Sequence, residues 1–146
     1  MRHGPSEGDS PTGRDFDRRL TAPGAACVEA VARELASRGE VVSRVVSSPL
    51  VRAVQTADIV RRILGLGGEL HVREELAPSG GSLTLVHELA RSEASALIVS
   101  HAPDVSELVA MLTERHASSF SAGMIVALDV QGRAASRVFA IEPPGA

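Results

Sequence analysis

Two histidines and two arginines stand in this chain where side chains could do chemistry on an anion. Arg2 and His3 belong to Arg2-His3-Gly4. Arg52 lies in Ser47-Ser48-Pro49-Leu50-Val51-Arg52-Ala53-Val54-Gln55-Thr56-Ala57, and His101 in Ser100-His101-Ala102-Pro103. Together they suit phosphoryl transfer through a phosphohistidine. A neutral imidazole can attack phosphorus and hold the group covalently. Arginine stays charged at any working pH, and its planar fork pairs with phosphate bidentately. The reaction needs that charge around the equatorial oxygens. A second histidine adds a proton donor or a positive charge as the transition state forms. The scheme requires no metal and no cofactor.

Each residue also has a duller reading. A histidine close to the start of a chain is ordinarily surface decoration, and an arginine on an amphipathic helix is ordinarily solvated. A strand-ending Ser-His-Ala-Pro is more specific, because strand ends host sites. His71, His87 and His116 sit in polar surroundings and read as surface. The order of the motifs carries the joint reading.

The elements between the motifs must bring them together. Residues 5–19 are polar and rich in Gly, Pro, Asp and Arg, which predicts a loop. Thr21 can cap a helix in which Val28, Val31, Ala32 and Leu35 repeat at helical spacing, ending at Gly39. Val41 to Val46 is a β-branched run and predicts a buried strand. Ser48 as cap and Pro49 in the first turn open a second helix, running to about Leu64 and Gly65.

Glu69 to Leu76 predicts a strand, Ser82 to Arg91 a short helix, and Ala96 to Val99 a buried strand that delivers His101. Asp104 would cap a helix with Val105, Leu108, Val109 and Leu112 on its apolar face. Ile125–Val130 and Arg137–Ile141 form a hairpin across Gln131-Gly132. Strands alternating with helices predict an α/β sheet with helices on both faces, and the hairpin makes the sheet mixed. Ligands bind beyond the carboxyl ends of such strands. His101 follows one end and Arg52 another. Arg2-His3-Gly4 would follow a third if a strand preceded it.

The bulk numbers set limits. The 146 residues favour one domain, 1–146, with 44% apolar and 23% charged residues. The net charge of -3 gives no attraction to nucleic acid or to an anionic membrane. There is no Trp or Tyr and there are three Phe, so base-stacking surfaces are not expected. All 15 cationic residues are arginine. Cys27 is the single cysteine, which excludes an internal disulfide and fits a reducing cytosol. Its helical apolar surroundings predict an inert thiol. No stretch reaches the roughly 18–20 apolar residues that span a bilayer, and no signal peptide is visible, so a cytoplasmic protein is expected.

These motifs resemble, in order and spacing, the histidine phosphatase superfamily, also called phosphoglycerate mutase-like. The closer likeness is to its small phosphohistidine phosphatases of the SixA type. It rests on Met1 to Gly4, Arg19-Leu20-Thr21, Ser48 to Ala57, Glu75-Leu76-Ala77-Pro78-Ser79-Gly80, Ser100 to Pro103, and Ser121-Ala122-Gly123 to Leu128. The stretch Ser48 to Ala57 is its most specific part. The resemblance implies a three-layer α/β/α sandwich with a mixed, mostly parallel central sheet. It implies that His3 is the phosphorylated nucleophile, that Arg2 and Arg52 bind phosphate, and that His101 completes the pocket. Ser6 matches a hydroxyl position that touches phosphate. Glu75 falls near the acid that protonates the leaving group in many relatives, though a surface carboxylate is an equal reading.

The chain is too short for a cap insertion, so the implied pocket is shallow and open. That suits a phosphohistidine displayed on a signalling protein; a small phosphomonoester is the alternative. One departure stands out. Relatives begin with an apolar strand that delivers Arg-His-Gly, whereas only Met1 precedes Arg2 here. The first strand therefore looks missing. Either the start is clipped, the favoured expectation, or the chain is a weakened or inactive phosphate-binding relative. A chain folding as given should hold His3 loosely. A mutase is the remaining, weaker reading.

Overall fold

Local sequence rules set the first helix directly. The Thr21 hydroxyl accepts the Gly24 N–H at 3.0 Å, with Pro23 in the first turn of α1 (Ala22–Ser37). Val28, Val31, Ala32 and Leu35 are its buried stripe, and Gly39, at φ 70°, lies just past its end. The structure is a computed structural model and describes residues 1–78, 80–92, 95–116 and 119–145. Ser79, within one of the matched motifs, lies outside the described residues.

Pairing fixes the next elements more than residue type does. Strand β1 is Arg44–Ser47, three residues later than the start of the valine run. Its ladder with β3 (Ala96–Val99) begins at Arg44 opposite Ala96, and Val41 is left 78% exposed. Strand β3 matches its predicted bounds. The stretch predicted as a strand over 69–76 keeps only β2 (His71–Val72), and then a 3-10 turn over Glu74–Leu76 buries Leu76. Helix α2 is Val51–Ile63. Ser48 does not cap it: Leu50 holds the cap position with no side-chain bond. Helix α3 is Ser82–Ala90 and α4 is Asp104–Thr113. Asp104 is the first residue of α4, after Pro103, and makes no cap. The hairpin pairs β4 (Ile125–Gln131) with β5 (Ala134–Ile141), antiparallel, around Gly132 at φ 65°.

The parallel strands lie in the order β2-β1-β3, and the hairpin pairs separately. Residues 1–3 join the two. On one side the Met1 nitrogen donates to the Ile98 carbonyl at 2.8 Å. Ser100 N–H donates to Met1 O at 3.1 Å and His3 N–H to Ser100 O at 3.0 Å. On the other side Arg2 N–H reaches Met124 O at 3.1 Å, and Gly123 N–H reaches Arg2 O at 3.2 Å. The expectation of a loosely held His3 therefore fails: its backbone is laddered and its side chain buried. Residues of β3 and β4, with Met1, line a common cavity of about 560 Å³.

Helices cover both faces. Helices α1 and α2 pack on one core with Val45, Leu97, Val99 and Ile125. Leu85 and Leu89 of α3 cover Val46 and Leu76 on the opposite side, and Val105 of α4 packs with Phe120 and Met124. The molecule has the three-layer α/β/α arrangement that the motifs imply. None of the described helices is long and apolar enough to cross a membrane.

Candidate active site

Three segments far apart in sequence meet at the ends of the strands. The tripeptide delivers His3, the first turn of α2 delivers Arg52, and the end of β3 delivers His101. The imidazoles of His3 and His101 lie 5.2 Å apart between ring centroids, tilted by 54°. Both are buried, 9% and 3% exposed.

Close packing holds His3 in place. The Gly4 N–H donates to Thr56 Oγ1 at 3.1 Å, and that hydroxyl donates to Arg52 O at 2.8 Å, which ties the motif to α2. A Cβ on Gly4 would come within 2.5 Å of Val28 Cγ2, so only glycine lets the loop lie against α1. Gly24 serves the same end from the helix side, because a Cβ there would collide with the Pro5 carbonyl.

The hydrogen bonds set which ring nitrogen can react. His3 Nδ1 donates to its neighbour's carbonyl, Gly4 O, at 2.7 Å. That leaves the lone pair on Nε2, which lies 3.3 Å from Arg52 Nε. Burial, helped by the Arg52, Arg2 and Arg18 charges, lowers the His3 pKa to about 4, against an upward pull from the Gly4 bond. Burial and then the neighbouring His3 and Arg52 lower that of His101 to about 3. Both rings are neutral at pH 7. A neutral imidazole is the form that attacks phosphorus, and the Nε2 lone pair that would attack accepts the Arg52 Nε–H here.

His101 is oriented by a residue that sequence reasoning assigned elsewhere. Ser48 Oγ lies 2.7 Å from His101 Nε2, while its contact with Leu50 N–H is a long 3.4 Å. Among the described residues, His101 Nδ1 and Arg2 Nε are buried without a hydrogen-bond partner. Arg2 reaches Phe120 O through Nη1 at 2.7 Å, and its charge acts on both imidazoles. Unpaired buried polar atoms are costly, and an oxyanion among these groups would satisfy the donors.

Asp15 and Arg18 escaped the sequence reading. They sit in a polar loop without periodicity, and nothing local marks them. Asp15 Oδ2 accepts from Arg52 Nη2 at 2.9 Å, and Asp15 O accepts from Arg52 Nη1 at 2.7 Å. Its Oδ1 accepts from Arg18 Nη1 at 2.8 Å. Arg18 Nη2 donates to Ser6 Oγ at 3.1 Å, which places Ser6 beside this group.

Glu75 is turned elsewhere. Its carboxylate takes Arg73 Nη2 at 2.6 Å and Nε at 3.2 Å, and the pair is reinforced by Glu88. The Arg73 bonds hold the Glu75 carboxyl below the usual carboxylate range. His71 and His116 are exposed as expected, but His87 is half-buried with Nε2 enclosed. Cys27 is half-buried and burial pushes its thiol up, away from nucleophilic use.

Comparison with known proteins agrees with this geometry. The model of the histidine phosphatase superfamily (branch 1) matches residues 1–79. The phosphohistidine phosphatase SixA of Escherichia coli (strain K12) is 35% identical over 116 residues, covering 77% of this chain and 71% of that protein. The structure of the protein histidine phosphatase SixA complexed with tungstate superposes at a TM-score of 0.91 and 28% identity, over 98% of this chain and 94% of that one. A phosphoserine phosphatase of Entamoeba histolytica shares the fold, at a TM-score of 0.73 and 16% identity, over 95% of this chain and 93% of that one. The match over residues 1–79 and the 35% identity to a curated relative give the same answer: this chain belongs to the histidine phosphatase superfamily and is a phosphatase of that type.

Proposed function

We propose that this phosphatase works without a metal, through a phosphohistidine on His3, and removes phosphate from phosphohistidine on a partner protein. One observation carries the reading: His3 Nε2, its lone pair free of the ring's own backbone bond, meets Arg52 at 3.3 Å beside a second buried imidazole. In the first step Nε2 bonds to phosphorus and the bond to the leaving nitrogen breaks. In the second, water attacks phosphorus, releasing inorganic phosphate and restoring His3. Arg2 and Arg52 neutralise the equatorial oxygens. His101, neutral at rest, gains proton affinity when the dianion enters and supplies a proton or positive charge. Ser6, beside Arg18, is within the group that meets the phosphate. Glu75, paired with Arg73, takes no part in proton transfer. Residues 1–146 act as one domain.

The protein substrate is supported by the name of the 35% identical relative, a phosphohistidine phosphatase. The test is phosphoryl labelling from a phosphohistidine protein. Acid-labile, base-stable label on the wild type that is lost in His3→Ala is expected. Label that persists in His3→Ala overturns the mechanism. Faster turnover of small phosphomonoesters than of phosphohistidine protein would overturn the substrate and keep the chemistry.

A further inference from the structure

The guanidinium of Arg52 already uses three of its five N–H groups, one on each nitrogen. Its Nε points at His3, and its two terminal nitrogens hold Asp15 by the side-chain oxygen and the backbone carbonyl. The same Asp15 carboxylate uses its other oxygen on Arg18. An anionic group thus lies between two guanidinium groups, one of them in contact with the ring nitrogen that reacts. A guanidinium fork takes carboxylate and phosphate in one geometry. A phosphoryl group brought to His3 Nε2 falls within reach of Arg52, whose two terminal nitrogens each already donate to Asp15.

We propose that Asp15 is an internal competitor for the phosphate seat and that Arg18 is a further phosphate-binding residue, freed when Asp15 is displaced. The inference rests on the reading of His3, Arg2 and Arg52 given above and extends it to two residues outside the matched motifs. The surroundings fit an exchange. Arg52 is 5% exposed and fixed by α2, whereas the Asp15 side chain is 60% exposed, in a 3-10 turn of three residues. Asp15 can swing into water at small cost while Arg52 stays. The two arginines hold its carboxyl below the usual range, so it remains a charged rival at every working pH. Arg18 is anchored at the Glu7 carbonyl through Nε, 2.6 Å, and its charge already reaches His3. When Asp15 leaves, Arg18 Nη1 loses its acceptor and is open to an incoming anion. Substrate then exchanges one carboxylate for one phosphoryl dianion, so the pocket favours dianions over monoanions.

The test is calorimetric titration of inorganic phosphate and of orthovanadate into the wild type, Asp15→Asn, Asp15→Ser and Arg18→Gln. Both Asp15 variants are expected to bind more tightly, by up to about fivefold, the range that a partly exposed ion pair allows. Arg18→Gln is expected to bind more weakly than wild type. Equal or weaker binding in both Asp15 variants overturns the competitor role and makes Asp15 a positioning residue for Arg52. Unchanged binding in Arg18→Gln overturns the phosphate contact. Anion binding is read without turnover, so failure of the catalytic reading shows separately, as wild-type protein that binds vanadate yet hydrolyses no phosphohistidine.

Discussion

Arg52 Nε and His3 Nε2 stand 3.3 Å apart, so the cation and the proposed nucleophile are in contact in the free enzyme. The contact places a donor where charge develops once phosphorus is attacked. Removing one such donor costs about 10²–10³ in kcat. Arg52→Ala should fall at least that far, and Arg52→Lys, which lacks the fork, should recover little. Steady-state kcat with phosphohistidine protein checks both. Recovery of most activity by lysine would mean that charge alone matters.

Ser48 sits 2.7 Å from His101 Nε2. Ser48→Ala removes the bond that orients the ring and leaves the helix cap untouched, since Ser48 does not serve as one. A hydrogen bond of about 1 kcal/mol corresponds to roughly a fivefold loss in kcat with KM little changed. A rise in KM alone would place Ser48 in substrate binding.

The two neutral imidazoles give stability a definite pH dependence. Unfolded histidines titrate near the ordinary value of 6.5, while His3 and His101 take up protons only near about 4 and about 3 in the fold. Between these values the unfolded chain binds more protons. The contribution of these two rings to stability is therefore full above about pH 6.5 and falls as pH drops toward 4. Urea midpoints at pH 7.5 and 5.0 check it. His101→Asn should flatten the slope, and an unchanged slope would show that carboxylates set it.

Gly24 packs so tightly under Pro5 that a methyl group there meets the carbonyl. Gly24→Ala should cost about 1–3 kcal/mol, the usual penalty of overpacking. Pro5 follows the Arg2-His3-Gly4 motif by one residue, so kcat/KM should fall alongside the thermal midpoint. A stable Gly24→Ala enzyme with full activity would show that the loop gives way freely.

Glu75→Gln breaks the Arg73 pair and takes away the carboxylate. The pair is partly exposed and contributes little. Turnover within about threefold of wild type is expected. A loss of about 10²-fold or more, the scale of general acid catalysis, would return Glu75 to proton donation.

His3, Arg52 and His101 were legible because each sits where an element ends, and element ends follow from composition. The strand over Ala96–Val99 was legible for the same reason, being apolar and bounded by turns. Val41 misled because β1 starts where β3 offers a partner, which is a fact about another segment. Ser48 misled because its serine-proline context is a genuine helix-start signal, yet its hydroxyl serves an imidazole 53 residues on. Asp15 was silent because its partner Arg52 is 37 residues away in the chain and the loop between has no period.

The short ladder through Met1, Arg2 and His3 is the backbone pairing that joins the parallel strands to the hairpin, among the described residues. Assembly and reactivity are thereby vested in the same three amino acids. Any early loosening on warming that parts the hairpin from the parallel strands also displaces His3, the proposed nucleophile. Hydrolysis should vanish before the helices melt, and it should return on cooling as soon as that seam closes.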